Sequence, residues 1–378
     1  MPGRRLSHAE RRLLRSWREP GAGCPYPLLK GITLEGPPPL RGIQKIHAPF
    51  DFPITAICGR NGAGKSTLLG LAALSAARPA GWDRSPRPIP AVRRRLLSMN
   101  FAWDEFFFRR PSDPTSAGLT VRFDYTIEGD DLQIARVRTE SRWWANLPDP
   151  GRSRPVRFPK RAIDFVSLSR ILPPAELGAL RRRHSRASSP GITPLSAPAT
   201  VAMSAILGQS YDSVEVHTDS GMPLAHCRTA ASYNGFDMGS GEASAIAILS
   251  ALEHLPAGGL LLIEEIEHGF HPEAQKRLIR ELTRLISGNR KQVVCTTHSE
   301  YILDALPREG RLLVEREPDG HRVSAGPTTR QAMHSMTGTP QPELTVYVED
   351  PFAEALVRQA LPGEHRLRDM SFRIHMSL

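Results

Sequence analysis

Nine residues, Gly59-Arg60-Asn61-Gly62-Ala63-Gly64-Lys65-Ser66-Thr67, constrain this chain more than any other stretch. They fit the pattern G-x-x-x-x-G-K-[S/T], in which glycines let successive backbone N–H groups turn inward around phosphate oxygens. An apolar run, Ile54-Thr55-Ala56-Ile57-Cys58, precedes the pattern and reads as a buried strand. A helix-like run, Thr67 to Leu74, follows it, so a helix N-terminus adds partial positive charge where phosphate would lie. The chemistry assigns Lys65 to the β- and γ-phosphates and the Ser66 hydroxyl to Mg²⁺. The ordinary alternative is a glycine turn before a core helix. The layout favours a nucleoside triphosphate with Mg²⁺.

A chain of 378 residues accommodates two domains, or one large α/β domain with insertions. No apolar run approaches the roughly 18 residues that a membrane-spanning helix needs, so no membrane partner is expected. Met1-Pro2-Gly3-Arg4-Arg5 has no apolar segment behind it, as a secretory signal would. Cys24, Cys58, Cys227 and Cys295 lack C-x-x-C spacing, and Cys58 and Cys295 lie in apolar strand-like runs. A reduced, cytoplasmic protein is therefore expected. The formal charge of +10 comes from arginine, clustered at Arg93-Arg94-Arg95, between Arg152 and Arg161, and at Arg181-Arg182-Arg183. Guanidinium forks suit phosphate, which makes nucleic acid a candidate partner. A GC-rich coding sequence would produce the same composition.

Five segments emerge along the chain. Residues 1–25 hold a basic amphipathic helix, Leu6 to Arg18, with Leu6, Leu13, Leu14 and Trp17 on one face. Residues 26–170 form an N-terminal lobe rich in strands around the phosphate loop. It includes a hairpin expected to turn at Gly129-Asp130-Asp131, and a loop-like, Pro- and Arg-rich stretch from Trp143 to Pro159. Residues 171–230 mix helix signals with Pro and Ser and read as a small helical insertion. Residues 231–340 alternate strand and helix, which implies a parallel sheet with covered faces. Residues 341–378 open with a strand, Leu344 to Asp350, and a helix, Pro351 to Leu361. The fold class expected is α/β, a P-loop NTPase with a β-rich N-terminal lobe.

Two further constellations carry chemistry. Leu260 to Ile263 is an apolar strand that delivers Glu264 and Glu265 at its C-terminal end. The first carboxylate can support Mg²⁺ and the second can polarise an attacking water. An ordinary solvated strand terminus would look the same. Val293 to Ser299 is a strand ending in His298, placed to contact a γ-phosphate, although Ser299 is also a good helix cap. Between these and the phosphate loop, Met238-Gly239-Ser240-Gly241-Glu242 is a glycine-rich turn opening a helix.

In this order the four segments resemble ABC-type ATPase heads of the branch that includes the OLD-family nucleases, RecF and SMC-like ATPases. Gly59 to Thr67 resembles the family's Walker A, Leu260 to Pro272 its extended Walker B, and Thr296 to Ser299 its switch-histidine segment. Met238 to Glu242 resembles the signature, which makes Ser240, Gly241 and Glu242 site residues. The resemblance implies ATP sandwiched between the Walker A of one copy and the signature of another, in a homodimer or higher homo-oligomer. Glu265 is then the catalytic base, His298 the γ-phosphate sensor, and Ser66 and Glu264 the Mg²⁺ side. This sequence departs from the family in having Glu264 where Asp is usual and Gly239 where Ser is usual, so slow hydrolysis is expected. A Q-loop is not evident, the strand from Phe165 to Arg170 being the candidate.

About 175 residues separate Lys65 from Gly241, without sustained heptads, which excludes a long coiled-coil tether. Leu344 to Asp350 resembles the opening of a Toprim nuclease domain, with Asp350 where Gly is usual and too few residues after Leu361 for the paired aspartates. A vestigial or truncated Toprim-like segment is expected there, with Glu349 a structural remnant. The resemblance extends to ATPase subunits of PARIS- and Septu-type antiphage systems, implying a sensor or scaffold for a separately encoded effector nuclease. Two alternatives stand beside it: a RecF-like ATPase that clamps DNA, and a nucleotide-bound scaffold with little turnover.

Overall fold

The computed structural model describes residues 6–20, 24–82, 100–101, 103–107, 117–138, 143–146, 158–168, 191–219, 222–318, 320–338, 344–360 and 370–374. In chain order, helix α1 (His8–Arg18) is followed by strands β1 (Leu28–Leu40), β2 (Ile43–Pro49) and β3 (Ile54–Cys58), then helix α2 (Lys65–Ala73). Strands β4 (Thr120–Ile127), β5 (Asp130–Arg138), β6 (Trp143–Asn146), β7 (Ile163–Val166) and β8 (Gly191–Pro194) lead to helix α3 (Ala197–Leu207). Strands β9 (Ser213–Asp219), β10 (Met222–Arg228) and β11 (Ser232–Asn234) precede helix α4 (Ser240–His254). Next come β12 (Leu260–Ile263), α5 (Pro272–Ile286), β13 (Gln292–Thr296) and α6 (Glu300–Ala305). Strands β14 (Arg311–Glu317) and β15 (Gly320–Ala325), helix α7 (Thr329–Thr337), and a final unit of β16 (Leu344–Val348), α8 (Pro351–Ala360) and β17 (Met370–Ile374) complete the order.

The chain is a mixed α/β protein organised around a six-stranded sheet of order β15-β14-β3-β13-β12-β7. All neighbours in it are parallel except the edge pair β14–β15. Every residue of β3, β7, β12 and β13 is buried. Continuous apolar strands are what a sheet covered on both faces requires. Side-chain alternation sends Leu261, Ile263, Val293 and Cys295 to one face, where they pack with α3, α4, α5 and α6. Leu260, Leu262, Val294 and Ile57 point to the other face, towards α2 and the inner side of a second sheet. That second sheet is antiparallel, of order β2-β1-β4-β5-β6.

Parallel pairing fixes what matters for function. Val293 pairs with Ile54 and Thr296 with Ile57, while Ile263 pairs with Cys295 on one side and Val166 on the other. The C-terminal ends of β3, β12 and β13 therefore lie side by side, the position at which open α/β sheets bind ligands.

Three expectations differ from the structure. The β4–β5 hairpin turns one residue early: Ile127 pairs with Asp130, and Glu128 and Gly129 take positive φ of 55° and 96°. This is the two-residue turn whose twist matches the flanking strands. Trp143–Asn146, expected in a loop, forms edge strand β6 against β5. The segment expected as a small helical insertion, 171–230, is mostly strand in its described part: β8, β9 and β10 form an antiparallel sheet with β11 just beyond it, and α3 is the one helix. Cross-strand partners Val214 and Cys227 are buried, and with α3 they join the hydrophobic cluster that holds β3 and β12. Residues 171–190, like the arginine cluster at 93–95, lie outside the described residues.

Candidate nucleotide site

Gly59, Gly62 and Gly64 adopt φ of 146°, 77° and 104°, conformations that L side chains rarely take. At Gly59 a Cβ would also lie 2.1 Å from the Val314 carbonyl oxygen. These three bends carry the chain from β3 around an arc closed by the Ala63 N–H donating to Arg60 O at 3.2 Å. Gly64 caps α2, and Leu68 N donates to its carbonyl at 3.0 Å. Asn61 and Gly62 stand exposed at the tip, Ala63 and Thr67 are buried, and Ser66 is exposed in the first turn of α2. Lys65 is only 8% exposed, and its ammonium donates to Gly59 O at 2.8 Å and Arg60 O at 3.0 Å. Burial holds its pKa below the usual lysine range, with Cys58, Glu265 and Glu267 pulling it back up. Arg60 turns outward instead and donates from Nε to Ser335 O at 2.5 Å, tying the loop to α7.

The ends of β12 and β13 are joined by hydrogen bonds. Glu265 N donates to Thr296 Oγ1 at 2.9 Å and Ile266 N to Thr296 O at 3.1 Å. Glu264 N donates to Val166 O at 2.9 Å, and Leu168 N donates to Glu264 Oε2 at 3.4 Å. The segment after β7 that was the Q-loop candidate thus touches the first carboxylate. Glu265 has φ of 41°, a left-handed conformation that costs a non-glycine residue on the order of 1–3 kcal/mol. His298 is half-buried, and burial holds its pKa below the ordinary 6.5. Lys65 lowers it further, while Glu267 and Glu265 oppose. Lys65, Glu265 and His298 therefore share one electrostatic neighbourhood, which sequence spacing alone could only suggest.

Glu267 belongs to the same neighbourhood, and the sequence reading missed it. Its Oε1 accepts the His298 N–H at 2.7 Å, and its buried Oε2 has no hydrogen-bond partner among the described residues. The signal was a third acid two positions after Glu265. Gln275 also escaped notice: it accepts from Ser299 Oγ at 2.5 Å and donates to Phe270 O at 2.9 Å, anchoring the histidine segment to α5.

The turn before α4 takes its contacts elsewhere. Gly239 and Ser240 are exposed, and Gly241 packs so closely on Gly269 that an added Cβ would lie 2.7 Å from the Gly269 carbonyl. Glu242 turns back to its own helix start, accepting from Gly239 N at 3.1 Å. It also accepts from Tyr211 Oη at 2.6 Å and Tyr233 Oη at 2.5 Å. Burial first, then Glu242, pushes the Tyr233 phenol up to about 12. All four cysteines are free and buried, and burial pushes the Cys58 thiol up to about 12, which makes it an inert packing group.

The arrangement can surround an anion with backbone N–H groups and one ammonium, and offer a hydroxyl and two carboxylates to a divalent cation. At the C-terminal unit, Asp350 Oδ1 accepts from Ala353 N at 2.7 Å and caps α8, while Glu349 is exposed. Among the described residues no group of three or more His, Cys, Asp or Glu is placed to hold a metal, and no helix is long and apolar enough to cross a membrane.

Residues 232–304 match a family described as AAA domain, putative AbiEii toxin, Type IV TA system. The match contains Ser240, Gly241, Glu242, Glu264, Glu265 and His298; the phosphate loop lies before it. Solved structures of similar outline include the SMC head domain from Thermotoga maritima, with a TM-score of 0.45 at 15% identity over 79% of this chain and 98% of that one. The Smc head with an extended coiled coil bound to the C-terminal domain of ScpA, from Pyrococcus furiosus, gives 0.47 at 13% over 79% and 96%. Strand order and loop geometry, rather than these likenesses, define the fold. Over 95 residues the chain is 33% identical to the uncharacterized protein MJECL11 of Methanocaldococcus jannaschii, covering 23% of this chain and 82% of that protein. On that identity and coverage, this chain belongs to the same family as MJECL11.

Proposed function

We propose that this chain is an ABC-type ATPase head that binds ATP with Mg²⁺, hydrolyses it slowly and dimerises through it. The observation that carries the reading is the convergence of the phosphate loop, Glu264–Glu265 and His298 at the C-terminal ends of three adjacent parallel strands. The backbone N–H groups of Gly62 and Gly64, with those of Arg60 and Asn61 at the mouth of the loop, and the Lys65 ammonium hold the phosphates, while Ala63 N–H keeps the loop closed on Arg60 O. Thr67 N–H and the α2 N-terminus complete that cradle. Ser66 and Glu264 hold Mg²⁺, which neutralises phosphate charge when bound. Glu265 accepts a proton from the attacking water. His298, kept neutral by burial and by Lys65, donates a hydrogen bond to the γ-phosphate. Ser240, Gly241 and the start of α4 face the nucleotide of a second copy.

The test measures ATP hydrolysis by the protein and by Glu265→Gln, with oligomeric mass determined with and without ATP–Mg²⁺. Slow turnover abolished by the substitution, together with an ATP-stabilised dimer, supports the reading. No ATP binding by the unsubstituted protein overturns it.

The role of such a head is to sense or scaffold for a separately encoded effector nuclease in antiviral defence. Support comes from the matched family, whose description names a toxin of a toxin–antitoxin system. The trapped Glu265→Gln dimer is the bait. Specific capture of a nuclease encoded beside this chain, and loss of phage protection on Lys65→Ala, are expected. Protection unchanged by Lys65→Ala overturns the defence role.

A further inference from the structure

Glu242 stands in the first turn of α4, and both of its carboxylate oxygens are engaged. Oε2 accepts from Gly239 N at 3.1 Å, which closes the helix start on itself. Oε1 accepts three donors at once: Tyr211 Oη at 2.6 Å, Tyr233 Oη at 2.5 Å and Gln209 Nε2 at 3.1 Å. None of these donors belongs to α4. Gln209 and Tyr211 lie between α3 and β9, and Tyr233 lies on β11, so all three belong to the region around the four-stranded sheet. On its other side the same turn is held by the contact of Gly241 with Gly269, whose φ of 86° bends the loop following Glu264–Glu265.

The turn is thus gripped from two directions, by the sheet and by the carboxylate-bearing loop, while Gly239 and Ser240 stay exposed. A carboxylate with four donors has no free direction in which to reach a nucleotide. Hydrogen bonds to a charged acceptor are the strong, orienting kind. Gripping of this sort is what a backbone turn needs if it is to meet a ligand held by another molecule without first paying an ordering cost.

We infer that Glu242 is a positioning residue, and that the Tyr211–Glu242–Tyr233 latch couples the β8–β11 sheet to the turn that engages the nucleotide of a second copy. The inference rests on the ATP-dependent dimer proposed above. The sheet then sets whether a nucleotide-loaded head can dimerise, without setting whether it loads.

The experiment compares Glu265→Gln as parent with the same protein also carrying Tyr211→Phe and Tyr233→Phe. Affinity for a fluorescent ATP analogue is measured on dilute monomer, dimer mass is measured with ATP–Mg²⁺, and melting is followed throughout. Losing two charge-assisted donors is expected to weaken ATP-dependent dimerisation by about tenfold or more, with analogue affinity within about twofold of the parent. Tyr233→Phe alone, at a half-buried site, gives the same direction should the double variant fail to fold. A folded latch variant that dimerises as well as its parent overturns the inference alone. A parent that binds ATP but stays monomeric overturns the dimer reading and the inference with it.

Discussion

The chain contains two glycine-rich turns that each open a helix, and they are built on opposite principles. In the phosphate loop, Gly59, Gly62 and Gly64 all have positive φ, and at Gly62 an added Cβ would meet nothing within 4 Å. Glycine is required there for the direction of the backbone. In the turn before α4, Gly239 has an ordinary φ of −70°, and Gly241 is required because Gly269 occupies the space where its side chain would be. One turn carries its shape in its own torsions; the other borrows it from two neighbours. The first is therefore legible as a motif, and the second acquires meaning only in the fold.

Substitutions at the two turns separate these principles. Gly59→Ala combines a forbidden φ with a backbone clash at 2.1 Å. It should cost about 3 kcal/mol or more in urea unfolding and abolish ATP binding. Gly241→Ala has no torsional cost but meets the Gly269 carbonyl at 2.7 Å, and should cost about 1–3 kcal/mol while leaving ATP affinity intact. Equal losses of ATP affinity in the two variants would break the comparison.

Glu265 sharpens it from the other side, as a non-glycine residue with positive φ at the centre of the site. Glu265→Gly should raise stability by about 1 kcal/mol through relief of that torsion, yet lower hydrolysis by about 10²-fold or more through loss of the base. A variant that is both slower and less stable would show that the carboxylate itself, rather than the torsion, dominates the local energetics.

How far the sequence could be read follows the same division. Strands β3, β12 and β13 were legible because doubly covered strands are written as unbroken apolar runs. The juxtaposition of the glycine loop, Glu264–Glu265 and His298 was legible because each follows an unbroken apolar run at its strand's C-terminal end. The β8–β11 sheet was not, since Pro194, His217, Pro223 and His226 interrupt the apolar alternation by which a strand is recognised. Among its described side chains only Val214 and Cys227 are buried, in a cluster whose other members are remote in sequence. Glu267 was passed over because its partner, the His298 N–H, is remote in sequence. Glu242 was expected to bind the nucleotide, and the contacts with Tyr211 and Tyr233 that turn it to the sheet follow from no local pattern.

A pH effect of smaller size follows from His298, whose folded pKa lies below the ordinary 6.5. The unfolded chain therefore binds the proton more readily, and stability rises with pH through that window. The contribution is complete above about 6.5 and is lost as the pH falls from there through the folded value. His298→Asn should flatten this part of the stability profile in urea titrations across pH 5–7. It should also lower hydrolysis at pH 7.5, where the neutral imidazole already predominates.

The smallest effect belongs to the C-terminal unit, which contrasts with both turns. Its helix α8 starts at a cap, Asp350, and not at a glycine, and none of its residues is buried. Asp350 stands where the Toprim resemblance would have Gly, and the capping hydrogen bond to Ala353 N gives that departure a structural reason. Asp350→Ala should destabilise α8 by about 1 kcal/mol, seen as faster hydrogen exchange at Ala353 and Glu354. Because α8 contributes no buried side chain, the cost stays local, and the urea midpoint of the main sheet and the ATP affinity should not move. A shift in either would mean that the unit is coupled to the nucleotide site and works as more than an exposed appendage.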